Sequence, residues 1–134
     1  MNRSLSRRLL TALCALLLMA CGPGGQQPTT VRVAASEFRF EPASLTLKAG
    51  VPTILTLKNA GQTLHDFTIA SGPGIPTPAA GGMEHMQDKG PYHVAAEAGK
   101  EATLTLNLPA GSYTFICSVQ GHKELGMQGT ITVQ

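Results

Sequence analysis

Residues 104–117 read LTLNLPAGSYTFIC and carry the clearest structural pattern in the chain. Leucine occupies every second position before the turn signal Pro-Ala-Gly, and aromatic or sulfur-bearing side chains occupy every second position from Tyr113 to Cys117. Successive side chains of a β-strand point to opposite faces of the sheet, so this alternation predicts two half-buried strands joined by a tight turn.

The same period of two recurs from Val31 to the end of the chain. Its apolar members include Val31 and Val33, Phe38 and Phe40, Leu45 and Leu47, Leu55 and Leu57, Phe67 and Ile69, and Ile131 and Val133. Turn signals separate the runs at residues 41–42, 49–52 and 59–61. Seven or eight short strands at this spacing predict an all-β domain, an antiparallel Greek-key sandwich or barrel.

Residues 71–100 depart from this pattern, because they are rich in Gly, Pro and Ala and show weak periodicity. We expect a long loop here, with room for a short helical turn at residues 94–98. Loops of this length without regular structure are uncommon in compact domains and often carry function.

The first twenty residues have the composition of an export signal. Three arginines precede the apolar run of residues 9–19, which has about the length of a secretory hydrophobic segment and is too short for a single-span anchor. Ala20 precedes Cys21 in a pattern that resembles the bacterial lipobox, which predicts a signal at residues 1–20 and a lipidated N-terminal Cys21. Residues 21–30 then form a flexible tether, and residues 31–134 form the domain. The alternative is an ordinary signal peptide with a cysteine near its cleavage site.

The composition excludes other classes of protein. The chain has 134 residues with 10 Lys and Arg against 8 Asp and Glu, and three of the basic residues lie in the predicted signal. The remainder is nearly neutral and lacks the basic surface of a nucleic-acid-binding protein. No segment after the signal has the length of a transmembrane helix. We expect one monomeric domain outside the cytoplasm, held to a bacterial membrane by the lipid.

The three cysteines have different fates under this interpretation. Cys14 leaves with the signal and Cys21 carries the lipid, so Cys117 is the only free thiol of the mature protein. An idle exposed thiol is a liability in an oxidising compartment. Cys117 is therefore either buried and inert, or used by a metal or a reaction.

Three residues with metal-binding side chains lie at regular spacing near the C-terminus. Four residues separate Cys117 from His122, and four separate His122 from Met127. His65 lies at the start of an earlier predicted strand, which a Greek-key fold can bring beside this loop. Two imidazoles and a thiolate with a weak thioether form the blue-copper ligand set, because these donors suit both Cu(I) and Cu(II). Zinc accepts Cys and His, but a thioether is a poor ligand for it.

Each of these residues also has a plain structural interpretation. Cys117 is compatible with an inert core position, His65 with a hydrogen-bonded buried histidine, and Met127 with apolar packing. A catalytic Cys–His pair is a further alternative, but an activated cysteine usually lies at a helix N-terminus or an electropositive site. Cys117 ends a predicted strand, and the coincidence of all four residues favours the metal site.

Residues 111–133, GSYTFICSVQGHKELGMQGTITV, resemble the C-terminal copper loop of the cupredoxins. The loop spacing is most similar to that of auracyanin and differs slightly in length from azurin and plastocyanin. The resemblance implies that His65, Cys117 and His122 are equatorial copper ligands and that Met127 is axial. It also implies a one-electron carrier between larger redox proteins, which is not an enzyme, with His122 near an apolar surface as the electron port.

Two departures from the family pattern concern residues around the ligands. Many family members have Asn after the first ligand histidine, where it braces the cysteine loop, whereas this chain has Asp66. A carboxylate accepts hydrogen bonds but cannot donate as an amide does. The binuclear centre of respiratory oxidases needs a second Cys in this loop, and residues 118–121 contain none, which favours a mononuclear site.

The segment Met83-Glu84-His85-Met86, with His93 nearby, offers sulfur and imidazole donors that suit Cu(I). A second, transient copper site at Met83, His85 and Met86 would indicate an extracytoplasmic copper-binding or delivery lipoprotein, which is the alternative to the electron carrier. An exposed loop with incidental Met and His, or a docking surface, remains open for this segment. A third functional class is an adhesion-like β-sandwich protein in which the metal site is only structural.

Overall fold

A computed structural model describes residues 26–76 and 90–134 of the chain. The predicted signal, Cys21 and the loop residues Met83, His85 and Met86 lie outside the described residues. Within the part of the chain that is described, every regular element is a β-strand, and no helix is long and apolar enough to span a bilayer.

Nine strands follow one another along these residues. They are β1 Thr29–Ser36, β2 Arg39–Glu41, β3 Ser44–Leu47, β4 Thr53–Asn59, β5 His65–Ser71, β6 His93–Ala96, β7 Glu101–Leu106, β8 Gly111–Ile116 and β9 Gln128–Val133. β1 begins two residues before Val31, so Thr29 and Thr30, which are predicted from the sequence as part of the tether, belong to the first strand.

The strands form two sheets, in the orders β2-β1-β4-β7 and β3-β9-β8-β5-β6. The all-β architecture predicted from the alternation is therefore confirmed. Two pairings, β1 with β4 and β3 with β9, are parallel. The sequence predicts antiparallel sheets, whereas the structure has mixed sheets. The parallel pairs join strands that are distant in the chain and need no hairpin between them.

Two local predictions are wrong. Residues 94–98 do not form a helical turn, because residues 93–96 form β6 and pair antiparallel with the edge of β5. Phe38 does not share a strand with Phe40 but lies in the turn between β1 and β2, with a φ of 62°. In both places pairing between strands outweighs a weak local preference, as is common in sheets.

The core lies between the two sheets. Buried and half-buried residues alternate along β4, and buried and exposed residues alternate along β9, as the period of two predicts. Phe67 of β5 stacks on Phe115 of β8 with ring centroids 4.5 Å apart, and Phe40 packs edge-on against Phe115 at 5.1 Å. These contacts hold β5 and β8 together, and both strands lead directly into the candidate site.

β5 differs from the other strands because its first five residues are all buried. Three of these five, His65, Asp66 and Thr68, are polar. Burial of a polar group without a partner costs roughly 1–3 kcal/mol in mutational data. The start of β5 therefore needs polar partners, and they come from the end of β8 and the segment that follows it.

Candidate metal centre

The antiparallel pairing of β5 with β8 brings the start of one strand to the end of the other. Thr68 pairs with Ile116, so His65 at the start of β5 lies beside Cys117, which directly follows β8. His122 lies in the turn between β8 and β9. The donor atoms of His65, Cys117 and His122 all lie within 4.8 Å of one another. The structure thus brings together three of the four residues that are predicted from the sequence as metal ligands.

The sulfur of Cys117 lies close to both imidazoles. Its Sγ is 3.4 Å from Nδ1 of His122 and 3.9 Å from Nδ1 of His65. His65 and Cys117 are fully buried, and His122 is 9% exposed. Both rings therefore present the same nitrogen to one sulfur atom, in a position from which most water is excluded.

Burial also changes the protonation of the site. It lowers the pKa of His65 below the ordinary value of 6.5, and the charge of His122 lowers it further, while the carboxylates of Glu37 and Asp66 act in the opposite direction. A neutral imidazole keeps a lone pair available for a metal. One sulfur and two imidazole nitrogens form a donor set that suits copper or zinc, so the residues fit an ion of this class.

Met127 is fully buried and lies one residue before β9. Its backbone N–H donates to the carbonyl oxygen of His122 at 3.0 Å, and its carbonyl oxygen accepts from the N–H of Cys117 at 3.1 Å. The N–H of His122 donates in turn to the carbonyl oxygen of Val119 at 3.0 Å. The backbone of the loop thereby holds the fourth predicted ligand residue against the other two.

Asp66 links the two strands that carry His65 and Cys117. Its carboxylate is 1% exposed and accepts hydrogen bonds from the backbone N–H and the hydroxyl of Ser118, both at 2.6 Å. The backbone N–H of Asp66 donates to Sγ of Cys117 at 3.4 Å. Asp66 follows His65 and Ser118 follows Cys117, so these bonds hold the two residues side by side. A carboxylate can accept both bonds from Ser118, and such charge-assisted bonds are short and strong.

His93 lies beside the same carboxylate. Its Nε2 is 3.5 Å from Oδ2 of Asp66, and its side chain is 23% exposed. His93 is grouped with the loop residues around His85 by its position in the sequence, but it lies in β6, on the face of the sheet that Asp66 shares. The register of β5 and β6 explains this position, because Asp66 pairs with Ala95, two residues after His93.

Two residues of the turn between β1 and β2 reach the site, and neither is predicted from the sequence to belong to it. Phe38 packs edge-on against His122 with ring centroids 5.3 Å apart and remains 39% exposed. Oε1 of Glu37 lies 3.9 Å from Nε2 of His65. A hydrogen bond from the backbone N–H of Gln62 holds the pKa of Glu37 below its usual range. No motif or spacing in the sequence connects this turn to the C-terminal loop.

Comparison with known proteins identifies a matching family and several similar proteins. The model of the family described as Cupredoxin-like domain matches residues 9–133. The chain is 31% identical over 117 residues to the copper-resistant cuproprotein CopI of Rubrivivax gelatinosus, which covers 84% of this chain and 71% of that protein.

Two solved proteins of Chloroflexus aurantiacus share the fold. Auracyanin-A is 28% identical over an alignment of 152 positions that covers 93% of each chain. Its structure, described as that of a "blue" copper protein, superposes with a TM-score of 0.63 at 24% identity, over 81% of this chain and 100% of that chain. Auracyanin B superposes with a TM-score of 0.64 at 26% identity, over 79% of this chain and 88% of that chain.

Proposed function

The chain belongs to the cupredoxin-like domain family, and on this premise we propose that it is a mononuclear blue-copper protein that carries one electron at a time between redox partners. The observation that carries this proposal is the convergence of one donor atom each from His65, Cys117 and His122 within 4.8 Å, with both Nδ1 atoms within 3.9 Å of the Cys117 sulfur. Its similarity to a cuproprotein and to a protein described as a "blue" copper protein supports the same conclusion.

His65, Cys117 and His122 would hold the copper, with Met127 as a weak fourth ligand. When bound, copper supplies a centre that alternates between Cu(I) and Cu(II), and this donor set accepts both valences. The chain itself supplies a fixed frame. The bonds of Asp66 to Ser118 and of Cys117 to Met127 join protein groups to one another, so they remain in place when the valence changes.

We propose that the protein is a carrier and not an enzyme. The three donor residues are fully or almost fully buried, and His122, at 9%, is the most exposed of them. A catalytic metal site keeps a position open for water or substrate, and this burial leaves little access for either. An electron needs no such access, because it can pass through the ring of a ligand histidine.

The surface around His122 suits an apolar contact with a redox partner. Among the residues that the structure describes, Phe38 and Leu125 are the large apolar side chains with the highest exposure, at 39% and 60%. Phe38 contacts the ring of His122, and Leu125 lies in the same turn as His122. We propose that a partner protein docks here. Leu125→Lys should slow electron exchange with that partner while leaving the reduction potential and the colour unchanged.

We also propose that Cys21 carries a lipid that holds the protein outside the cytoplasm. β1 runs toward the site, because its last residue leads into the turn of Glu37 and Phe38. Its eight residues span about 23 Å at roughly 3.3 Å per residue, so the chain enters the domain far from His122. A tether at that end leaves the His122 surface free for a partner. Mass spectrometry of the membrane fraction should show a lipid on Cys21, and Cys21→Ala should release the protein from the membrane.

The experiment that tests the proposal is optical and paramagnetic spectroscopy of the protein loaded with Cu(II). We expect an intense blue or green colour, one copper per chain, and reversible bleaching by ascorbate. A colourless copper complex would contradict a thiolate-bound type 1 site.

The second candidate function is copper binding or delivery, which the similarity to a copper-resistant cuproprotein favours. Stoichiometry separates the two functions. A second copper that is lost when Met83, His85 and Met86 are replaced together would favour delivery. A single copper that survives this triple replacement and cycles reversibly would favour the carrier.

A further inference from the structure

The turn between β1 and β2 has an unusual backbone for its sequence. Ser36 pairs with Arg39, so Glu37 and Phe38 alone form the turn. Phe38 has a φ of 62°, a left-handed conformation that bulky residues rarely adopt and that hairpin turns usually assign to Gly or Asn. Strained backbone of this kind persists where the surrounding structure holds it, and it is often found at functional sites. The strain at Phe38 therefore points to a functional role for this turn, which also contains Glu37.

The outer nitrogen of His65 faces this turn. Nδ1 of His65 lies on the side of Cys117, and Nε2 is buried without a hydrogen-bond partner among the described residues. Oε1 of Glu37 lies 3.9 Å from this nitrogen. If Nδ1 offers its lone pair to a metal, the ring proton must be on Nε2. The N–H bond then points its positive end into the region of the Glu37 carboxylate.

The carboxylate of Glu37 is held in this position by two features of the loop between β4 and β5. The backbone N–H of Gln62 donates to Oε1 of Glu37 at 2.6 Å. Gly61 allows the close approach, since a Cβ at this position would lie 2.6 Å from Oε1 of Glu37 and 2.8 Å from Nε2 of His65. Any larger residue at position 61 would displace one of the two groups. The contact between Glu37 and His65 thus depends on a specific local arrangement and not on a freely moving surface side chain.

We propose that Glu37 is a positioning residue for the metal, which keeps the proton of His65 on Nε2 and makes Nδ1 a stronger donor. This inference rests on the proposed copper site. Partners of the outer nitrogen fix the tautomer and raise the basicity of metal-bound histidines. A more basic imidazole and a nearby negative charge both favour Cu(II) over Cu(I). Glu37 therefore lowers the reduction potential of the site.

The test compares Glu37→Gln with Glu41→Gln. Both variants remove one negative charge from the same hairpin, but Glu41 is an exposed residue at the end of β2, paired with Ala34. Glu37→Gln should retain one copper and lose about tenfold in its affinity for Cu(II) relative to Cu(I), which is about 59 mV of upward shift for a one-electron couple. Glu41→Gln should leave the potential within a small fraction of that shift. Equal potentials for the two variants would overturn the proposal.

A second measurement does not depend on copper. Nitrogen chemical shifts of the imidazole report the tautomer of His65 in the metal-free protein at neutral pH. We expect Nε2–H in the wild type and in Glu41→Gln, and a mixture of tautomers in Glu37→Gln. An identical tautomer population in all three proteins would refute the role of Glu37. If the tautomer populations are identical but the wild type is blue and redox-active, only the role of Glu37 is refuted and the electron-carrier function stands. If the wild type forms no coloured copper complex, the electron-carrier function itself is refuted.

Discussion

Ser118→Ala tests whether the carboxylate of Asp66 joins the two ligand-bearing strands. The substitution removes one hydroxyl directly after Cys117 and leaves the backbone N–H of Ser118 in place. In the folded protein that hydroxyl donates to Oδ2 of Asp66 at 2.6 Å. This distance is in the range of short, charge-assisted O–H···O bonds.

The expected loss of stability follows from the burial of the acceptor. Hydrogen bonds to charged groups contribute about 1.5–3 kcal/mol, and a buried acceptor that loses one of its donors keeps its desolvation cost. Asp66 is 1% exposed, whereas Ser118 is half-buried, so water can replace part of the lost bond. We therefore expect Ser118→Ala to lower the free energy of unfolding by about 1.5–2 kcal/mol.

Urea unfolding of the metal-free protein at pH 7 measures this loss, provided that the slope of the free energy against denaturant is unchanged. Ser112→Ala is the matched control, because Ser112 is an exposed serine at the other end of β8. In an Asp66→Asn background the effect of Ser118→Ala should shrink, since the charged acceptor is gone. A loss of unfolding free energy below about 0.5 kcal/mol would refute the reasoning, because substitutions at exposed positions already vary by that amount. An equal loss in the wild-type and Asp66→Asn backgrounds would refute it as well.

Three further predictions concern the ligands. Cys117→Ser should abolish the colour of the copper-loaded protein but retain the β-sheet circular dichroism, at a stability cost of about 1–3 kcal/mol for a buried hydroxyl; retained colour would contradict thiolate ligation. Met127→Leu should retain copper and raise the reduction potential, on the order of 59 mV for a tenfold loss in affinity for Cu(II) relative to Cu(I). If voltammetry shows no shift in the potential, Met127 is not a ligand. Folding lowers the pKa of His65 below its ordinary value of 6.5. At pH values below 6.5 the unfolded chain therefore binds more protons than the folded protein does. The metal-free protein should therefore lose thermal stability as the pH falls through and below 6.5, and it should show no His65-dependent loss above pH 6.5. A melting temperature that stays constant in calorimetry from pH 8 to pH 5.5 would contradict the buried neutral form of His65.

The strands and the C-terminal part of the site were predictable because their signals are local. Alternation in β4, β8 and β9 reports which residues face the core, since one face of each sheet is buried. Cys117, His122 and Met127 lie within one loop, so their spacing in the sequence reflects their proximity in space. His65 was predictable only because its residue type completes a known donor set.

Other features depend on contacts between distant segments and leave no local pattern. β6 lies in a segment rich in Gly and Pro and becomes a strand because the edge of β5 supplies its hydrogen bonds. The parallel register of β1 with β4 likewise has no signal in either strand alone. Phe38 reads as part of an alternating run with Phe40. Only the pairing of Ser36 with Arg39 and the contacts of Phe38 and Glu37 with the two histidines show that these residues form a turn against the ligands.

The two histidines of the cluster have different environments, and this difference assigns them different roles. His65 is fully buried, and its Nε2 lies near the carboxylate of Glu37, so changes in this region alter the electronic properties of the donor. His122 is the donor nearest the surface and lies under the ring of Phe38. Substitutions around His65 should therefore change the reduction potential, whereas substitutions around His122 should change the rate of exchange with a partner. A variant of Phe38 that alters the potential as much as Glu37→Gln does would contradict this division.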